Sequence, residues 1–430
     1  MKRLFKPLGR ISRLSQIAAD HESVTDHGPE ADEVAAGLKP GSVDVMWGRM
    51  CALYDTGVQP GFQLCIAHGG EIVLNRAIGH ARGNAPLEHM AGNSPQPMQC
   101  DTPVNLFSAA KAVTAMLVHK LAEQGYFSID DPVARHIPGF ERHGKAAIRI
   151  RDVLTHRAGL TKMPASAAGF ADLDILADPD AIREMVLDLQ PQGKIGGPPA
   201  YHAITGGFVL AELMQAVTGE SPRTLLDTHI KQPLGLRWLD FGAAPADVEK
   251  IALNAETGWI PGPIAWHLGR VVGAPFNEAI HISNDPRFLS AIIPSGNVLS
   301  TAQDMAVFYQ CLLDQGRYQG KQIFKPETVQ QAIAADSPST MPSIDRVIGI
   351  PIRYSPGFML GHKGVGLYGW NRTSTFGHFG FTSTLTWARP DTGTVVALLT
   401  NGKPILGPHI TEMLGMFHAF NAFSENRIAG

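Results

Sequence analysis

A chain of 430 residues, 44% hydrophobic and 17% charged with a formal net charge of −3, can bury a sizeable core as one large composite domain or two interleaved ones. With no block of like charge, the chain gives no basis for nucleic-acid binding. No stretch approaches the ~20 consecutive apolar residues of a membrane span, which excludes an integral helical membrane protein.

The first predicted element is a basic amphipathic helix over residues 1–18. Leu4, Phe5, Leu8, Ile11, Leu14 and Ile17 recur at helical spacing opposite Lys2, Arg3, Lys6, Arg10 and Arg13. Such a helix suits peripheral contact with an anionic membrane surface, or packing on the protein's own body. It lacks the ~7–15-residue apolar run of a secretory signal, so a cytoplasmic location is expected, with peripheral membrane association through residues 1–18 left open.

Residues 19–42 read as a polar linker, and residues 43–430 as one domain. Its α/β part spans about 43–107 and 290–430, and a mainly helical part about 108–289. A helical stretch precedes GFQLCIAHGGEIVLNRAIG, two strand-like runs around the turn signal His68-Gly69-Gly70. Helical periodicity marks residues 105–125, 180–190, 205–218 and 301–315. STLTWARPDTGTVVALLTNG forms a second hairpin around Pro390-Asp391-Thr392-Gly393, and helix-like sequence follows over 408–422. The predicted fold class is α+β, with an antiparallel sheet built from the N- and C-terminal segments, flanked by helices, and a mainly helical region inserted between them.

Cys51, Cys65, Cys100 and Cys311 are scattered and read as free thiols, Cys65 as a small hydrophobe within an apolar run. The 17 histidines include no His-Glu-x-x-His and no His/Cys cluster, so neither a metal nor another cofactor is expected. Gly-x-Ser-x-Gly is absent, which removes the elbow-type α/β-hydrolase. A Gly-x-Gly-x-x-Gly at 364–369 is followed by polar WNRTST rather than a helix, and reads as a loop.

Ser108-Ala109-Ala110-Lys111 is the only Ser-x-x-Lys, although residue frequencies alone would produce about one in a chain this long. Residues three apart share a helix face, so the Lys111 amine can reach the Ser108 hydroxyl. Apolar surroundings and a helix N-terminus disfavour the charged lysine and let it accept the serine proton. The alternative is a capping serine followed by a solvent-facing lysine, and spacing alone leaves both open.

FSAAK (107–111), IRIRDVLTHRAGL (148–160), PPAYHAITGGFVLAELMQAVTG (198–219), IPSGNVLSTAQDMAVFYQCLL (293–313) and FGHFGFTSTLTWARPDTGTVVALLTNG (376–402) together resemble the serine β-lactamase-related hydrolases. The class C-like branch that contains the family VIII carboxylesterases is the nearest in pattern. The likeness runs in order over about residues 60–405. It implies a β-lactamase/transpeptidase-like fold, Ser108 as the acylated nucleophile, Lys111 as its base, and Tyr201 as a second proton carrier working as a phenolate near an ammonium. It implies an oxyanion hole from the backbone N–H groups of Ser108 and Phe381, with His378 and Gly380 of His378-Phe379-Gly380 on the substrate, His378 either as a hydrogen-bond donor or as a structural histidine.

Two departures from that family bear on substrate. Ala203 stands where an asparagine would bind an acylamino side chain, and His378 where a lysine would hold a carboxylate. Both argue against efficient β-lactam or D,D-peptide cleavage, and neither touches the acylation machinery.

The expected function is a cofactor-independent serine carboxylesterase acting on small-molecule esters of short to medium acyl chains. Met163, Phe170, Trp259, Trp266, Phe276 and Met359 are candidates for an acyl pocket or for core. The alternatives are an acyltransferase on the same scaffold, weak β-lactamase or D,D-peptidase-like action, and a non-catalytic binding module.

Overall fold

Strands from both ends of the chain share one antiparallel sheet. The computed structural model describes residues 13–86, 88, 92–164, 173–337, 339–407 and 409–425. The strands are β1 (Thr25–His27), β2 (Gly61–His68), β3 (Glu71–Arg82), β4 (Gln96–Pro97), β5 (Ser343–Ile344), β6 (Pro351–Tyr354), β7 (Met359–Leu360), β8 (Phe376–Gly380), β9 (Thr384–Arg389) and β10 (Thr394–Thr400). Their order is β1-β3-β2-β10-β9-β8-β7-β6-β5, with β4 paired to β3. The join between the two ends is β2 against β10, in register from Phe62↔Thr400 to His68↔Thr394. Gly69 and Gly70 turn β2 into β3 with φ of +62° and +92°, a conformation glycine adopts without a Cβ penalty.

The helices that matter for the site are α1 (Ser42–Asp55), α2 (Ala110–Glu123), α3 (Pro179–Asp188), α4 (Thr205–Thr218), α5 (Gly262–Val272), α6 (Phe276–Ile282), α7 (Ala302–Leu313) and α8 (His409–Glu425). Central strands are apolar on both faces because helices cover both. Phe62, Leu64, Ile66, Val396 and Leu398 pack with α1 and α8. Cys65, Ala67, Val395, Ala397 and Leu399 join the larger core with α2, α4 and α7. Each large side chain so buried stabilises the fold by roughly 1.5–3 kcal/mol. Helix α2 is buried around most of its circumference, which explains why its sequence is apolar rather than two-faced.

Three expectations change. Residues 19–42 are more than a linker, since β1 within them pairs with β3 through Thr25↔Ile78 to His27↔Arg76. The glycine-rich 364–369 segment, read as a loop, is the turn of a small hairpin, Val365–Gly366 against Gly369–Trp370. The predicted helix over 1–18 lies outside the described residues for 1–12, and residues 13–18 are not helical. There the Gly258 N–H donates to the Arg13 carbonyl and the Ser15 N–H to Gly57, each at 2.8 Å, so this backbone bonds to the body rather than along itself. Among the described residues no helix is long and apolar enough to cross a membrane.

Candidate active site

The segment before Ser108 is pinned to the helical region by a three-stranded sheet in which Val104–Asn105 pairs with Val298–Ser300, itself paired with Leu239–Phe241. The Leu106 N–H continues that ladder to the Val298 carbonyl at 2.9 Å. Phe107 then takes φ +47°, a left-handed conformation unusual for an aromatic residue, with its N–H donating to Asn105 Oδ1 at 3.1 Å. This turn sets Ser108 on a single 3-10 turn, Phe107–Ala109, that runs into α2. The turn can sit against β8 because residue 380 is glycine. A Cβ there would lie 2.2 Å from the Leu106 carbonyl oxygen. Gly380, expected to let the strand approach substrate, also lets it approach the serine turn.

Ser108 makes no side-chain cap hydrogen bond to its helix, and Lys111 does not face solvent. The Lys111 Nζ lies 3.2 Å from Ser108 Oγ and donates to the Ala203 carbonyl at 2.7 Å and to the Ser295 carbonyl at 3.1 Å. Burial holds its amine well below the usual lysine range. The Ser295 carbonyl reaches it because Gly207, at the start of α4, has no side chain: a Cβ would fall 1.9 Å from Ser295 Oγ and 2.6 Å from its backbone N.

Tyr201 is buried with its ring 4.8 Å from the Lys111 Nζ. Burial pushes its phenol above the usual range, and a hydrogen bond with Ser108 partly offsets this. Both shifts run against the phenolate beside an ammonium expected from the resemblance. Taking both groups out of water disfavours both charges.

His378 departs from expectation. It lies in the wall of a small cavity of about 30 Å³ behind Lys111, shared with His156, His202 and Tyr354, and not in the cleft that holds Ser108. Its Nδ1 lies 2.9 Å from the Phe379 carbonyl, which can only accept, and burial pushes the ring down to about 3. The neutral ring thus presents Nε2 as an acceptor, so His378 is not the donor to substrate that was expected. Gly380 and Phe381 do line the Ser108 cleft, and the Phe381 ring packs 5.5 Å from that of Phe107.

Sequence reasoning missed Asp345. This fully buried carboxylate accepts the Tyr201 N–H at 3.2 Å, the Val347 and Ile348 N–H groups at 2.9 Å and the Tyr354 hydroxyl at 3.2 Å. The His156 ring packs on that of Tyr201, centroids 4.6 Å apart and tilted by 50°. Asp345 is 144 residues from Tyr201 in sequence and belongs to no motif, so no local signal marks it.

The Ser108 cleft has a volume of about 560 Å³ and is walled by α5, α6, the β6–β7 edge and α8. Of the apolar residues expected to line it, only Met359 does. Trp259 and Trp266 are 66% and 64% exposed, Met163 packs on the main core, Phe276 is buried against Phe381, and Phe170 lies outside the described residues. Among the described residues no cluster of His, Cys, Asp or Glu is arranged to hold a metal ion.

The β-lactamase family model matches residues 50–414. The esterase/β-lactamase LipL of Mycobacterium tuberculosis (strain ATCC 25618 / H37Rv) is 30% identical over 336 residues, covering 75% of each chain. A penicillin-binding protein homologue from Caulobacter crescentus superposes with a TM-score of 0.73 at 25% identity, covering 90% of this chain and 99% of its own. A family VIII carboxylesterase superposes with a TM-score of 0.73 at 21% identity, covering 89% and 98%.

Proposed function

The chain belongs to the β-lactamase family and is a serine hydrolase of that fold, and from this premise we propose that it cleaves carboxylic esters through an acyl-enzyme on Ser108. The observation that carries the reading is the 3.2 Å contact between Ser108 Oγ and a lysine amine whose charged form burial disfavours. Lys111 takes the Ser108 proton as Oγ attacks the ester carbonyl. The oxyanion lodges at the N–H groups of Ser108 and Phe381. The proton passes through Tyr201 to the departing alkoxide, leaving an acylated Ser108 and a free alcohol. Water, activated by the same pair, releases the acid and restores the serine.

An ester, rather than a β-lactam or D,D-peptide, is favoured by what lies around the serine. Ala203 brings a carbonyl to Lys111 and no amide side chain, and among the described residues the cleft lining contains no lysine or arginine to meet a carboxylate. The test is intact-mass spectrometry with p-nitrophenyl butyrate on wild type and Ser108→Ala. An acyl adduct and nitrophenol release that both vanish in the variant are expected; equal turnover in Ser108→Ala would overturn the reading.

A further inference from the structure

The cleft offers far more apolar surface than a short acyl group can use. Its volume of about 560 Å³ lies within the ~300–1,000 Å³ of pockets that enclose whole drug-sized ligands. A two- to four-carbon acyl group of roughly that few heavy atoms would leave most of it unfilled, and unfilled apolar volume forfeits contact energy. Four elements supply apolar walls, with Leu268 and Val272 from α5, Ile282 from α6, Ile352 from β6, and Met413 and Phe417 from α8. Apolar lining continues to the rim, where Ile350 and Leu414 are 40% and 68% exposed.

The lining is also without charge. Among the described residues that form it there is no Asp, Glu, Lys or Arg, and its His409 is buried with its ring pushed toward the neutral form. The nearby Lys111 amine is occupied by Ser108, Ala203 and Ser295. A substrate carboxylate entering here would lose its hydration with no cation to replace it.

We propose that the preferred substrates are neutral, lipophilic esters whose hydrocarbon portion is longer than the short to medium acyl chains expected from sequence. This rests on the reading of Ser108 as the acylated nucleophile. Each methylene that enters the cleft should raise kcat/KM about fourfold, the ~0.8 kcal/mol of burying a CH2.

The experiment measures kcat/KM for p-nitrophenyl acetate, butyrate, octanoate and dodecanoate below their critical micelle concentrations, for an ethyl-to-decyl butyrate series, and for the mono-p-nitrophenyl ester of suberic acid. At least one series should climb well beyond its four-carbon member, and the suberate monoester should fall about a hundredfold or more below the octanoate. Ala279→Trp, which projects into the cleft from α6, should lower the ratio of long- to short-chain rates in the climbing series about tenfold; Val272→Phe serves if that variant does not fold. Rates that decline with length in both series, or a suberate monoester cleaved as fast as the octanoate, would overturn the proposal. Loss of Ser108 dependence for butyrate would instead overturn the catalytic reading, so the two failures are distinguishable.

Discussion

Asp345 accepts hydrogen bonds from three backbone N–H groups and one hydroxyl, and one of those N–H groups belongs to Tyr201. It touches no reacting atom and acts by positioning. In Asp345→Asn the three N–H groups on Oδ1 keep a carbonyl acceptor that has lost its charge, and the NH2 in place of Oδ2 turns the Tyr354 hydroxyl from donor to acceptor, so the charge-assisted, roughly twofold stronger bonds that hold Tyr201 are lost. We expect kcat to fall tenfold or more with KM nearly unchanged, and Tyr354→Phe, which removes one donor, to fall less; steady-state kinetics separates the two parameters. Lys403 makes a different kind of test. It is fully buried, with Nζ donating to Thr400 O at 2.7 Å and lying 4.9 Å from the Phe107 ring, and burial pushes it down to about 7. The unfolded chain keeps this proton up to a pH of roughly 10.4, so between the two values the unfolded state binds more protons and stability rises with pH. Lys403→Met removes that slope. Its advantage over wild type in denaturant unfolding should be largest near pH 7 and shrink by about 2 kcal/mol by pH 9, given ~1.36 kcal/mol per pH unit.

Strand β8 and helix α4 reach the serine and lysine only because each presents glycine at the point of closest approach. In Gly380→Ala the new Cβ meets a backbone oxygen, Leu106 O at 2.2 Å, and backbone cannot swing aside as a side chain can. Overpacking of this kind costs ~1–3 kcal/mol. We expect a lower melting temperature together with a loss of kcat greater than the loss of folded protein, because the displaced strand carries Phe381 and the displaced turn carries Ser108. A melting temperature and kcat equal to wild type would show that the strand stands off from the serine turn.

Helix α8 closes two structures at once. Phe420, buried, meets Trp387 edge-on at 5.2 Å in the core on the α1 face, while Met413 and Phe417 line the Ser108 cleft. Stability and substrate enclosure are thus coupled through one element near the end of the chain. Phe420→Ala should cost ~3–5 kcal/mol in chemical denaturation, typical of a large aromatic removed from a core. A loss under 1 kcal/mol would mean that α8 rests on the sheet without being held by it.

What could be read from the chain alone was what periodicity and local motif encode. Strand-like runs around turn signals marked β2–β3 and β9–β10, helical spacing marked α2, α3, α4, α7 and α8, and Ser108-x-x-Lys111 with the distant Tyr201 marked the chemistry through family resemblance. These signals survive because they depend on neighbours two to four residues away. Three-residue β1 and the two-residue strands carry too few residues for a period to show, and they exist by pairing with a strand already in place. The raised phenol of Tyr201, the lowered amine of Lys111 and the turning of His378 away from the cleft follow from burial, and the anchoring of Tyr201 by Asp345 and of Lys111 by Ala203 from contacts across more than ninety residues. Desolvation and long-range packing have no local sequence period, so only the folded chain decides them.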